Sequence, residues 1–372
     1  MAYIYKKSSV KKTSFTVVFN SGSLFEKEGQ YGTMHLMEHL ICKTFIDEYD
    51  TLTANAVDWN AYTGHEHIVV YMRGLASRLT SDIKKRVLKK LLGGLDNLTE
   101  EVFQKEKAVV IQEYMDNFND PVSGKFLNWM RTHYGDFGPI GEISCIQNFT
   151  LEDVKKTYKE MLSKPARIIE VGPTSTDLSD MNIEYAEELI RQPRKIKYKK
   201  DYKLVQQEVL PMDKSAFLVH SKKLVSKSDY PFMNVAVAMI SDGLNSPLTQ
   251  EIRVKRGLSY FSHGIVDHIW NDSILTFESC TTKENEEELT NVYNDLLNNV
   301  DKYLTKERYD MVMSMAQCEK EEMKLFRFAH VNDLINKGLP QMPNNLSKIT
   351  FEKVKEVAKK YINPDCEIVI LR

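Results

Sequence analysis

Apolar and polar positions follow the same order near residue 150 and again near residue 350. Residues 150–171 open on Thr150, carry Leu151, Val154, Tyr158 and Met161 at helical spacing, break at Pro165 and continue as the strand-like run Ile168, Ile169, Glu170, Val171. Residues 350–371 open on Thr350, carry Phe351, Val354, Val357, Ala358 and Tyr361 at that spacing, break at Pro364 and continue as Ile368, Val369, Ile370, Leu371. Each threonine is fit to cap a helix, and Glu152 and Glu352 favour its first turn. The openings match too: residues 15–21 (Phe-Thr-Val-Val-Phe-Asn-Ser) and 215–221 (Ser-Ala-Phe-Leu-Val-His-Ser) both read as strands ending on a serine, 200 positions apart. This internal repeat predicts an α+β chain of two similar domains, each a mostly antiparallel sheet with helices packed on one side. The first covers 1–180 and the second 201–372, with a linker at 181–200. The connecting stretch begins at Thr174-Ser-Thr-Asp and closes with Arg191-Gln-Pro-Arg-Lys, leaving room for a short helix between.

Within the first domain, Gly32-Thr-Met-His35-Leu-Met-Glu38-His39-Leu-Ile-Cys42 lies in an apolar helical stretch. Residues four apart on a helix share a face, with Cβ atoms about 5–6 Å apart, so His35 and His39 can both reach one zinc ion at roughly 2.0–2.1 Å. Glu38 shares that face and is placed to take a proton from water without ligating. The order His-x-x-Glu-His inverts His-Glu-x-x-His and does the same geometric job. Two buried core histidines beside an unrelated glutamate are the bland alternative. A catalytic zinc needs a third protein ligand and an open position. Thr99-Glu-Glu-Val-Phe-Gln-Lys-Glu106 through Glu113 to Asp116 reads as a helix that puts Glu106 and Glu113, seven apart, on one face, and spacing does not choose between them. His65 and His67 alternate along a predicted strand as a weaker metal pair; His133, His220, His263, His268 and His330 have no partner at ligand spacing.

With these motifs the chain resembles the M16 family, the inverted-motif zinc peptidases that include insulysin, pitrilysin and the mitochondrial processing peptidase. The resemblance runs from His35 to the terminal strand. In that family a glutamate ligand follows the motif by some seventy-odd residues, and here His39 and Glu113 are 74 apart. The resemblance therefore implies Zn²⁺ on His35, His39 and Glu113, with Glu106 behind the ligands and Glu38 as general base. Asn60-Ala61-Tyr-Thr resembles the family's Asn-Ala-x-Thr, an edge strand beside the metal to which an extended peptide adds through main-chain hydrogen bonds. Arg253-Val-Lys-Arg-Gly-Leu-Ser-Tyr260 resembles the segment whose Arg and Tyr hold the substrate carbonyl and its developing oxyanion. The implied function is a zinc endopeptidase acting on peptides or unfolded segments in an enclosed chamber. The chain is short for the family. That implies half of a chamber, completed in a homodimer or in a heterodimer with a related chain lacking the metal motif. Its rivals are a non-catalytic partner or scaffold subunit of the same fold, and a binding protein with a closed structural zinc; Glu38, a base not needed as a ligand, argues against the latter.

Bulk properties restrict the partners. A net charge of −2 offers nothing for nucleic acid or an anionic membrane. No apolar run approaches the ~20 residues that span a bilayer, and the N-terminus has no secretory pattern. Five widely spaced cysteines without Cys-x-x-Cys argue against a disulfide framework or thiolate site, and point to buried apolar roles and a cytoplasmic setting.

Overall fold

Among the described residues, ten strands fall into two sheets, one from each half of the chain. The computed structural model describes residues 1–120, 123–134, 138–164, 166–185, 214–269, 272–326, 335, 341–343 and 345–372. The first sheet is built from β1 (Ala2–Lys7), β2 (Lys12–Phe19), β3 (Asp58–Thr63), β4 (Ile68–Leu75), β5 (Arg167–Gly172) and β6 (Glu184–Tyr185), in the order β3-β4-β2-β5-β1-β6. The second has β7 (Lys214–His220), β8 (Ser262–Ile269), β9 (Asp272–Thr282) and β10 (Glu367–Leu371), in the order β10-β7-β9-β8. Written from the opposite edge, β8-β9-β7-β10 repeats β3-β4-β2-β5 strand for strand, and every pairing in this shared part is antiparallel. β1 and β6 are additions of the first half; β1 runs parallel to both β5 and β6.

The caps expected at the repeat are present. The Thr150 hydroxyl accepts from the Asp153 backbone N–H and Asp153 returns the bond to the Thr150 N–H, a reciprocal box that starts Leu151–Leu162. Thr350 accepts from the Lys353 N–H to start Phe351–Tyr361. Of the connector, the described part holds a 3₁₀ turn at Ser179–Met181 and the edge strand β6; residues 186–213 lie outside the described residues.

In the first half the helices are α1 (Thr33–Lys43), α2 (Tyr49–Ala54), α3 (Ser81–Leu92), α4 (Glu100–Asn119), α5 (Ser123–Tyr134), α6 (Ile143–Asn148) and α7 (Leu151–Leu162). One core, with Phe15, Phe19, Leu36, Leu40, Phe103 and Tyr114 among its members, lies between these helices and one face of the sheet. The opposite face is not left to solvent. Val18, Val69, Ile169 and Val171 form a separate cluster with Ile335 of the second half. Covered on both faces, β2 is buried at every position but its first, so it reads as a continuous β-branched and aromatic run rather than an alternation. Helix α5 reaches the second sheet: Lys125 Nζ donates to the carbonyls of Lys214 and Leu371, and Trp129 packs on His220. The second core gathers Phe217, Phe277, Tyr293 and Tyr361 around α8 (Tyr230–Ser241).

Two sequence expectations fail here. His65 and His67 lie in the turn between β3 and β4 rather than alternating on a strand, because the hairpin closes at Gly64, whose N–H bonds back to the His67 carbonyl. The cysteines are free as expected, but not all are buried: Cys318 is exposed on helix Lys306–Phe326, and the other four are half-buried. Among the described residues no helix is long and apolar enough to cross a membrane.

Candidate metal centre

Helix α1 sorts its residues by face. Met34, Leu36, Met37, Leu40 and Ile41 enter the core, while His35, Glu38 and His39 form a half-buried polar stripe. The start of the helix is fixed from outside it. No side chain of the N-cap residue serves; instead the Glu26 carboxylate accepts from the Gly32 and Met34 N–H groups at 3.0 and 2.7 Å. Gly32, at φ +98°, is pressed against Gly141; a Cβ on Gly141 would sit 2.2 Å from the Gly32 Cα. Glycine at both positions is what lets the helix enter at this angle.

Helix α4 lies against α1 and supplies the acids. His35 Nε2 is 3.3 Å from Glu113 Oε2, and His39 Nε2 is 3.6 Å from Glu113 Oε1. Donors held at about 2.0–2.1 Å around a tetrahedral ion lie roughly 3.3 Å apart, so the spacing suits zinc. One ligand atom each from His35, His39 and Glu113 lies within 4.8 Å of the others, and among the described residues no other group of three or more His, Cys, Asp or Glu does this. The hydrogen bond from His35 holds the Glu113 carboxyl below its ordinary range, against burial and with help from His39, so it is a carboxylate at neutral pH.

Glu106, seven residues before Glu113, stands behind His39 rather than between the histidines. Its Oε2 is 3.4 Å from His39 Nδ1 and its Oε1 is 2.9 Å from Lys43 Nζ. Accepting from Nδ1–H leaves His39 Nε2 with a free lone pair toward Glu113. His35 Nδ1 is buried and has no hydrogen-bond partner among the described residues. Glu38 points elsewhere: its Oε2 accepts from Thr63 Oγ1 at 2.8 Å, and Thr63 ends β3, the outermost strand of the first sheet. Asn60 and Ala61 lie on that strand, the Asn60 side chain accepting from the Ala61 N–H. Burial pushes the Cys42 thiol up to about 12, so it remains protonated and inert.

Arg253 and Tyr260 lie in the second half. The Arg253 guanidinium sits 4.3 Å over the Tyr260 ring, and Tyr260 is 80% exposed. No hydrogen bond, ion pair or ring contact among the described residues joins either of them to His35, Glu38, His39 or Glu113. Sequence reasoning missed Lys43 and Glu26, and quoted Thr63 only as the last residue of the edge-strand motif, without its bond to Glu38. Lys43 was within reach, being four after His39 on the same face; Glu26 gave no signal, because it caps α1 from a preceding loop.

Two family descriptions match the chain: "Insulinase (Peptidase family M16)" over residues 2–122 and "Peptidase M16 inactive domain" over residues 148–315. An uncharacterized zinc protease of Rickettsia bellii is 30% identical over 137 residues, 33% of this chain and 31% of that one. The zinc protease PqqE of Helicobacter pylori is 24% identical over 286 residues, 70% of this chain and 63% of its own. The chain thus spans between about a third and two thirds of these relatives. Among solved structures, a protease from Helicobacter pylori superposes with a TM-score of 0.76 at 17% identity, covering 99% of this chain and 96% of that one. A chain of complex III2 from Candida albicans gives 0.70 at 15% identity, covering 99% and 92%. Those two likenesses concern the fold alone. The two family matches, one in each half and together covering most of its length, place this chain in the M16 peptidase family.

Proposed function

We propose that this protein is a zinc-dependent endopeptidase acting on peptides or unfolded polypeptide segments. The observation that carries the reading is the separation of groups on one helix face: His35, His39 and Glu113 converge at ligand spacing, while Glu38, one helical step away, is left outside the donor set. Zinc, when bound there, would supply a Lewis acid for a water and a peptide carbonyl. Glu38 would take the proton of the attacking water at its free Oε1 and deliver it to the amine as the C–N bond breaks. The free edge of β3, at Asn60 and Ala61, would hold the substrate as an added strand. Arg253, half-buried, and the exposed Tyr260, whose side chains among the described residues contact each other, would offer a cation and a phenol to the substrate oxyanion. A second copy, or a related chain, would complete the enclosure.

The test is Glu38→Gln on zinc-loaded protein with a peptide library read by mass spectrometry. The amide is near-isosteric, so zinc should stay and turnover should fall at least about 10²-fold. Wild-type protein that binds zinc yet cleaves nothing, with or without chelator, would instead favour a non-catalytic subunit of the same fold.

A further inference from the structure

The Glu38 carboxylate has one hydrogen-bond partner among the described residues, and it comes from a different element. Thr63 Oγ1 lies 2.8 Å from Glu38 Oε2 and 3.4 Å from the Met34 carbonyl oxygen. A hydroxyl carries one proton, and the nearer acceptor, at 2.8 Å, takes it. The other polar groups along this face are committed elsewhere: His35 and His39 to Glu113, and Lys43 to Glu106. Without Thr63 nothing described would choose among the rotamers of a half-buried glutamate with three side-chain torsions. The donor is itself stiff, being β-branched and on a strand paired with Ile68 of β4.

We propose that Thr63 is a positioning residue for hydrolysis. By holding Oε2 it fixes the carboxylate on the helix face that carries His35 and His39 and leaves Oε1 without a hydrogen-bond partner among the described residues. Because Thr63 also ends the edge strand, the residue that aims the base belongs to the element on which the peptide would lie. Docking and proton transfer then share one rigid reference. The inference rests on the peptidase reading above and adds to it the device that fixes the base.

Thr63→Val removes the hydroxyl and keeps the shape and the β-branch; Thr63→Ser keeps the hydroxyl. On zinc-loaded protein with a fluorogenic peptide, Thr63→Val should lower kcat about 10- to 100-fold, the effect of losing a hydrogen bond to a charged group, with KM within about twofold and zinc content unchanged. Thr63→Ser should recover kcat to within about fivefold of wild type. Crystal structures of the zinc-loaded wild type and of Thr63→Val provide a readout independent of turnover: the Glu38 carboxylate should occupy one position in the former and be displaced or divided in the latter. Wild-type kcat in Thr63→Val, or an undisplaced Glu38, overturns the proposal. If the wild type cleaves no peptide, the peptidase reading fails by itself and the crystallographic comparison decides the role of Thr63.

Discussion

Glu106→Gln isolates the support behind one candidate ligand, His39. The carboxylate is 12% exposed and accepts from two groups, His39 Nδ1 at 3.4 Å and Lys43 Nζ at 2.9 Å. Glutamine keeps the volume but has one oxygen. If that oxygen turns to Lys43, the amide N–H₂ faces His39 Nδ1 and favours a proton on Nε2, the atom needed for the metal. If it turns to His39, the amide meets the ammonium donor to donor. Either way one partner loses its acceptor. Removing a carboxylate behind a ligating histidine typically weakens metal binding about 10- to 100-fold, which is about 1.4–2.7 kcal/mol. Zinc that binds only the folded state stabilises it in proportion to the logarithm of its occupancy ratio. The gap in unfolding free energy with and without a fixed excess of zinc should therefore shrink by the same amount. Competition against a chromogenic chelator measures the affinity, and urea titrations measure the gap.

Lys43→Met should move the other way. It releases Glu106 to shorten its bond to His39 and removes a positive charge from beside a dication site, so zinc should bind as tightly as in wild type or more so. Wild-type affinity in Glu106→Gln, or weakened affinity in Lys43→Met, would refute the assignment of Glu106 as the electrostatic support of His39.

Three further outcomes follow from other parts of the molecule. Burial, with Asp267 adding, pushes the Glu278 carboxyl up to about 7 against a hydrogen bond from Thr276. A carboxyl whose folded pKa is raised stabilises below its unfolded pKa, and that contribution is lost as pH rises through 7. Stability should therefore fall by up to about 3 kcal/mol between pH 4.5 and 7, and denaturation of Glu278→Gln should lose that slope. Lys84, 3% exposed, donates to the fully buried Glu170 at 2.6 Å, so Lys84→Met should cost about 3–5 kcal/mol in urea unfolding; a cost under about 1 kcal/mol would mean Tyr3 and Thr176 satisfy Glu170 alone. Tyr260→Phe keeps the ring under Arg253 and should keep zinc while losing about 10²–10³ in kcat; full activity would make the Arg253/Tyr260 pair a packing feature.

What the sequence makes legible is what obeys local periodicity. The i, i+4 histidines, the seven-residue spacing of Glu106 and Glu113, and the capped helices followed by strands all follow from one helix or one strand at a time. Edge placement of Asn60 and Ala61 came from resemblance and agrees with the sheet order. What escaped depends on pairing between distant elements. Thr63 meets Glu38 across 25 positions and Glu26 meets Met34 across a loop, and neither contact leaves a spacing rule. The parallel insertion of β1 between β5 and β6 escaped for the same reason, since the repeat in the sequence marks only β2 and β5 and their counterparts β7 and β10. His65 and His67 misled because alternation over three residues is shared by strands and by turns.

The repeat also accounts for there being, among the described residues, one candidate centre in two similar halves. The pair α1 and α4 has its counterpart in α8 and helix Lys306–Phe326, in the same order along the chain and beside the same strands. In α8 the stripe that carries His35, Glu38 and His39 is replaced by apolar residues, and Met233, Val235, Ala236, Val237, Met239 and Ile240 are all buried. A helix buried around most of its circumference has no wet face on which a ligand set could gather. The partner helix changes accordingly. Where α4 presents Glu106 and Glu113 to α1, the second-half helix presents Arg308, which donates to the carbonyls of Ala238, Met239 and Asp242 at the end of α8. That cation answers the negative end of the helix, a purely structural duty. The same helix pair thus serves once to gather a candidate ligand set and once to close a helix end. The difference lies in two choices: whether the first helix keeps a polar stripe, and whether the second brings it carboxylates or a guanidinium.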